Sequence, residues 1–139
     1  MTDLFSTPRS TRNGSALSEN LRVGAMTVGV MAALMVALQV VNSLTSYWLT
    51  QHLGITPRNG DGLLGVLFAP LLHASWSHLW SNLVLVLVLG FLVALGGTRQ
   101  FFAVTAVVWI VSGLGVWLTA RSGTVTIGAS VLVFGWLAY

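Results

Sequence analysis

The segment from Val23 to Leu44 carries no charged residue and is apolar along almost its whole length. At about 1.5 Å of helix rise per residue it is long enough to cross a hydrocarbon core of about 30 Å. Two more such runs follow, Leu79–Leu95 and Phe101–Ala120, and a fourth opens at Val125 and reaches the last residue, Tyr139. Only 6% of the residues are charged and 55% are hydrophobic. A water-soluble fold of this size cannot hide that much apolar surface, whereas a bilayer removes the need to hide it. The expected fold is an all-α polytopic transmembrane bundle, truncated within its fourth helix.

Composition excludes several functions. There is no cysteine, so disulfides, thiolate catalysis and cysteine–metal sites are ruled out. A formal charge of +3, dispersed along the chain, does not suit nucleic-acid binding. No cofactor and no metal is expected. All basic residues are arginine, for which no physical reason is evident.

The organisation reads as a tail and a membrane domain. Residues 1–22 are polar and rich in Ser, Thr and Asn, and read as a disordered cytoplasmic tail. They lack the early apolar region of a cleaved signal peptide. Residues 23–139 form the membrane domain. Arg22, Tyr47 and Trp48 flank the first span as interfacial anchors, and Gln39 and Asn42 on it are expected to face other helices. The long connection Thr45–His78 contains turn signals at Thr56-Pro57 and Asn59-Gly60-Asp61-Gly62. Within it, Leu63–Leu72 is apolar but too short to span, which predicts a half-buried interfacial segment. Gly90 and Ala94 on the second span, and Ser112, Gly113 and Gly115 on the third, are small residues suited to close helix contact in lipid. Arg9, Arg12, Arg22 and Arg99 fall on one side of an alternating topology, Arg58 and Arg121 on the other. That asymmetry favours a cytoplasmic N-terminus and an outer first loop. The expected location is the plasma membrane.

Two polar groups stand out in this apolar chain. His78 and Asn82 lie four apart, on one helix face near the outer end of the second span. Ser130 lies between small residues at the head of the fourth segment, after Gly128 and Ala129. Helix N-termini present unpaired N–H groups and a partial positive charge. Donors on residues 78 and 82, with the Ser130 amide, would suit a developing oxyanion. A base for the serine proton is not evident. A Gly-Ala-Ser triplet alone in an apolar helix is more often a packing motif than a nucleophile. His73 and His78 could in principle bind metal. Five residues apart on one helix they would diverge by about 140°, with no cysteine or nearby carboxylate to complete a site. His52 reads as a solvated loop residue. Asp61, the sole acid beyond the tail, reads as a turn residue capping its own backbone. Trp76 and Trp80 read as interfacial anchors.

The pattern His73…His78…Asn82, followed by Gly128-Ala129-Ser130, resembles the rhomboid intramembrane serine proteases. These have a long first loop, an H-x4-H-x3-N pattern on the second helix and a G-x-S-G motif opening the fourth. The resemblance covers roughly residues 22–139. Gly-Ile-Thr-Pro-Arg-Asn at 54–59 and Leu-Phe-Ala-Pro-Leu-Leu-His-Ala-Ser-Trp at 67–76 are similar to actinobacterial members. The resemblance implies a serine endopeptidase that cleaves transmembrane segments of protein substrates within the lipid bilayer. It assigns Ser130 as nucleophile, His78 and Asn82 to the oxyanion site, and His73 to a supporting role. Val131 stands where the motif has glycine, and Ala94 lies near the position of an acid many members carry. The family's base histidine comes on a later helix. None of His52, His73 or His78 matches it, so the chain as given is expected not to cleave by itself. The alternative is a non-catalytic rhomboid-like protein, or an inactive truncated product, that binds transmembrane segments.

Overall fold

The structure is a computed structural model and describes residues 10–139, with side chains from Leu17 onward. Residues 1–9 of the predicted tail lie outside the described residues. Six α-helices follow in order: α1 Ser10–Leu44, α2 Trp48–Leu53, α3 Leu64–Phe68, α4 Trp76–Ala94, α5 Thr98–Thr119 and α6 Ser130–Ala138. Among the described residues there is no strand, and Ile55 and Thr126 form an isolated β-bridge. The fold is an all-α polytopic bundle. Leu17–Leu44, Trp76–Ala94 and Thr98–Thr119 are each long and apolar enough to cross a membrane.

α1 begins well before the predicted span. Ala16, Leu17, Glu19 and Leu21 are good helix formers that carry the helix back through the polar segment. Arg22 pairs with Glu19 at 3.5 Å, both largely exposed, so the pair adds little stability.

α1 and α4 run antiparallel along a seam of small residues. A Cβ added to Gly24 would lie 2.8 Å from the Ala94 Cβ, and one added to Gly90 would lie 3.3 Å from Val28. Apolar side chains gain nothing by leaving lipid for one another, so close backbone approach supplies the contact energy. The expected pair Gly90 and Ala94 serves this seam. Gly113 serves another purpose: its missing Cβ leaves room for Val66 of α3, while Gly115 faces open space.

α6 packs against both α4 and α5. Leu132, Val133 and Trp136 on it join Val28, Met35, Leu79, Leu83 and Val86 in one buried core. The Trp136 indole donates to the Thr105 hydroxyl at 3.2 Å, which satisfies both groups away from water. Outward-facing Val84, Val88, Val107, Val111 and Phe134 remain exposed, as a lipid-facing surface requires.

The apolar run Val125–Tyr139 is not helical throughout. Thr126 pairs with Ile55 in both directions at 2.9 and 3.0 Å, and Gly128 adopts φ +112°. The chain is therefore extended up to Gly128, and the helix opens at Ser130. Hydropathy does not register this boundary, because an extended and a helical apolar residue score alike.

The first loop is fixed to the C-terminal end of α5. Arg58 N–H donates to the Trp117 carbonyl at 3.0 Å and its guanidinium to the Leu118 carbonyl at 2.8 Å. The Trp117 indole donates back to the Asn59 carbonyl at 2.8 Å. These bonds occupy carbonyls that a helix end leaves unpaired. Asn59, not Asp61, caps the following turn: its Oδ1 accepts from the Asp61 N–H at 3.0 Å, two residues on.

Candidate active site

The first turn of α4 is built by its cap. Ser75 is extended, and its Oγ accepts from the His78 N–H at 3.1 Å. That is the N-cap geometry Ser supplies best. It fixes where the helix starts, and hence the direction in which His78 projects. One turn on, the Asn82 side-chain amide donates to the His78 carbonyl at 2.9 Å. Asn82 is 7% exposed, and the bond leaves one of its two N–H groups unengaged.

His73 precedes the helix rather than lying on it. The expectation that the rings of residues 73 and 78 diverge by about 140° is therefore wrong. That figure assumed one continuous helix, whereas the chain bends at Ala74 and Ser75. The two rings meet edge to face, 5.1 Å between centroids and 74° between planes. Burial, and then the neighbouring His78, hold the His73 imidazole below its ordinary 6.5, at about 4; the nearby Leu71 backbone opposes this only in part. No group of three or more His, Cys, Asp or Glu could hold a metal among the described residues.

The second half of the site arrives on α6. Gly128 N–H donates to the Ala69 carbonyl at 2.8 Å, which anchors the approach to the helix on the first loop. A Cβ on Gly128 would fall 2.9 Å from both Cε1 and Nε2 of His78. Two independent constraints thus select glycine: the positive φ and the imidazole edge against its Cα. Ala129 is fully buried, and its carbonyl accepts from Leu132 and Val133 at 2.9 and 3.1 Å. Ser130 is the first residue of α6 and is half-buried. Its hydroxyl has no hydrogen-bond partner among the described residues. The N–H groups of Ser130 and Val131 precede any intrahelical acceptor. Val131 is half-buried and packs against the core.

These contacts bring His78 against Gly128, two residues before Ser130, where the N-terminal ends of α4 and α6 lie side by side, with Asn82 one turn along α4 from His78. Free N–H donors and an imidazole N–H can stabilise an oxyanion that develops beside the Ser130 hydroxyl. His52 is not part of this site. It is exposed on α2, stacked on Trp48 at 4.3 Å, with Nδ1 donating to the Trp48 carbonyl. Trp76 and Trp80 are exposed on the first turns of α4. A groove of about 920 Å³ lies elsewhere, between α1 and α5. Its lining includes Met26, Val30, Phe102 and Ile110 and none of the site residues, so it is a lipid-facing feature.

Three positioning residues escape the sequence reading. Ser75 carried a signal, a serine three residues before His78 at the head of an apolar run. Ala69 acts through its backbone carbonyl and carried none. Asn42 was expected only to face another helix. Fully buried, it donates to the His73 carbonyl at 3.2 Å and to the Thr50 hydroxyl at 2.7 Å, and accepts from the Thr50 N–H at 3.1 Å.

Known proteins place this arrangement. An uncharacterized protein of Mycobacterium tuberculosis and one of Mycobacterium bovis are each 46% identical over 122 residues, covering 84% of this chain and 50% of theirs. An uncharacterized protein of Mycobacterium leprae is 43% identical over 122 residues, covering 84% of this chain and 48% of its own. The chain thus spans about half the length of these relatives. No solved structure gives a significant match. The family model for the Rhomboid domain matches residues 61–139, the stretch that holds the His73–Asn82 segment and Ser130, and on that match the chain belongs to the rhomboid family.

Proposed function

We propose that this chain carries the nucleophile half of an intramembrane serine endopeptidase that cuts transmembrane segments of membrane proteins. The carrying observation is the contact of the His78 ring with Gly128, two residues before Ser130. Ser130 Oγ attacks the scissile carbonyl carbon. The carbonyl oxygen becomes an oxyanion, received by the Ser130 N–H and the side chains of His78 and Asn82. The serine proton passes to a histidine which, in the family pattern, comes on a helix after the fourth. Collapse expels the amine, which takes that proton, and water then releases the acyl group. His73 backs the His78 ring. The protein sits in the plasma membrane with its N-terminus cytoplasmic and the site near the outer face.

One observation supports a second reading. Val131, directly after Ser130, stands where the family motif has glycine and crowds the nucleophile. On that reading the protein holds transmembrane segments without cutting them. Co-expression with the C-terminal half of a mycobacterial relative separates the two. Cleavage of a model transmembrane substrate, lost on Ser130→Ala, supports the protease. Binding without cleavage, unaffected by Ser130→Ala, supports the holder. A single cysteine at Asn59 tests orientation, since the chain has no native thiol. It should label from outside in intact cells, and labelling only after the cytoplasmic face is opened would reverse the topology.

A further inference from the structure

Five buried side-chain atoms make no well-formed hydrogen bond among the described residues: Nε2 and Oε1 of Gln39, Oγ of Ser43, and both ring nitrogens of His73, whose nearest backbone neighbour, Leu71, is too poorly placed to satisfy the ring. Gln39 is 2% exposed and His73 is 0% exposed. Burying polar groups without bonds is costly, and more so where hydrocarbon surrounds the bundle. In folded proteins such groups are almost always satisfied, by water where no protein atom reaches them.

Register and one hydrogen bond place the three side chains at the same level of the bundle. Gln39, Asn42 and Ser43 fall at i, i+3 and i+4 on α1 and so share a face. Asn42 already touches the loop, through its bond to the His73 carbonyl. The seam of Gly24 on Ala94 and Val28 on Gly90 sets the antiparallel register of α1 on α4. Carried to the N-terminal end of α4, that register puts Gln39 level with Leu79 and Asn42 level with Trp76. The His73 ring meets His78 in this same first turn of α4.

We propose that Gln39, Ser43 and His73 enclose a site for bound water, which ties α1 to the His73 ring. The chemistry of the groups selects water. The amide supplies two donors and an acceptor, the hydroxyl one donor and two acceptors, and a neutral imidazole one of each. A water molecule with two donors and two acceptors bridges such a set. An ion does not fit, because no carboxylate or guanidinium lies in the layer and His73 is held neutral. An apolar ligand would leave all five atoms unpaired. The bridge fixes the tautomer and tilt of His73, whose edge rests on His78. Only this last step, the positioning of His78, rests on the proposed protease reading; the water site does not.

The test uses the 139-residue chain in detergent micelles with ¹⁵N-labelled histidine. The wild-type protein should show a His73 ring N–H resonance with a cross-peak to slowly exchanging water. Gln39→Met keeps the length of the side chain and removes the amide. It should lower Tm by about 4 °C or more and move the His73 ring resonances, leaving those of His52 in place. Both changes together are the expected result, and either one missing overturns the proposal. An amide that truly lacked partners would give the opposite sign, since replacing it with an apolar group would raise Tm. If Gln39→Met does not fold, the wild-type spectrum decides: no water cross-peak at His73 overturns the site. None of these readouts involves peptide cleavage, so failure of the protease reading would leave them unchanged.

Discussion

The two ends of α4 are each closed around a glycine, and the two glycines admit different things. At the C-terminal end Gly24 makes room for a helix: Ala94 packs where its side chain would be. At the N-terminal end Gly128 makes room for a functional group: the His78 ring occupies that space. The first contact is apolar and needs no direction. The second is surrounded by directed bonds, from His78 to Ser75, from Gly128 to Ala69 and from Asn42 to the His73 loop. In lipid, deleting a side chain is the general way to bring two elements together. What specifies a site is the set of hydrogen bonds that then fixes the approach.

Substitutions at the two ends should accordingly fail in different ways. The largest effect belongs to the nucleophile. In a complemented protein Ser130→Ala should reduce cleavage on the order of 10⁴- to 10⁶-fold, with no change in Tm, because the Ser130 hydroxyl holds no partner. Residues 1–139 alone should show no cleavage before the substitution either. Cleavage by the isolated chain that disappears on Ser130→Ala would place the base inside these residues.

Gly128→Ala comes next. It adds a Cβ 2.9 Å from two atoms of the His78 ring, at a φ of +112° that L-residues rarely adopt. Strain of this kind costs on the order of 1–3 kcal/mol, and the ring has to move away. Cleavage should fall at least about 10-fold, and Tm should fall too. Gly24→Val loads the C-terminal end of α4 instead. It should lower Tm by a similar amount, yet leave the His78 and His73 ring resonances unmoved. If Gly24→Val disturbs those rings as much as Gly128→Ala does, the two ends are not independent.

What was legible from sequence follows the same division. The spans could be read because lipid imposes length and hydropathy on every residue of a crossing helix. The Gly90/Ala94 contact face could be read from spacing, though not its partner Gly24. The start of α6 could not be read from hydropathy, because the Ile55–Thr126 pairing that keeps Val125–Ile127 extended joins residues far apart in the chain. A five-residue spacing read as helical makes His73 and His78 diverge, whereas the Ser75 cap starts α4 between them. The family motif named Ser130, His78 and Asn82. The Ala69 carbonyl that holds Gly128 lies beyond any motif, since a backbone acceptor has no residue signature.

A pH titration sharpens the comparison with a smaller effect confined to the N-terminal end of α4. His73 titrates near 4 in the folded chain and near its ordinary 6.5 when unfolded. Between those values the unfolded state binds more protons, so stability falls as pH drops. Its contribution is level above about pH 6.5, declines from there to about 4, and is level again below. Tm measured across this window should show that slope, and His73→Phe should remove much of it. A slope unchanged by His73→Phe would assign the acid sensitivity to another group.

The smallest expected effect concerns Val131, where the rhomboid motif has glycine. Valine is stiff at χ1 and stands directly after the nucleophile. Reading the motif alone, Val131→Gly should open the surroundings of Ser130 and raise cleavage in the complemented protein. The structure adds an opposing term, because Val131 is half-buried and packs against the core at the head of α6. Glycine there forfeits that packing and also costs about 0.5–1 kcal/mol of helix propensity. The two terms act on different measurements. Access to Ser130 should raise kcat/KM a few-fold, while lost packing should lower Tm by a few degrees. If cleavage and Tm fall together, Val131 belongs with Gly24, as a packing residue whose departure from the motif the fold has accommodated. If cleavage rises while Tm falls, the valine side chain obstructs the approach to Ser130, and the glycine of the motif serves access rather than packing.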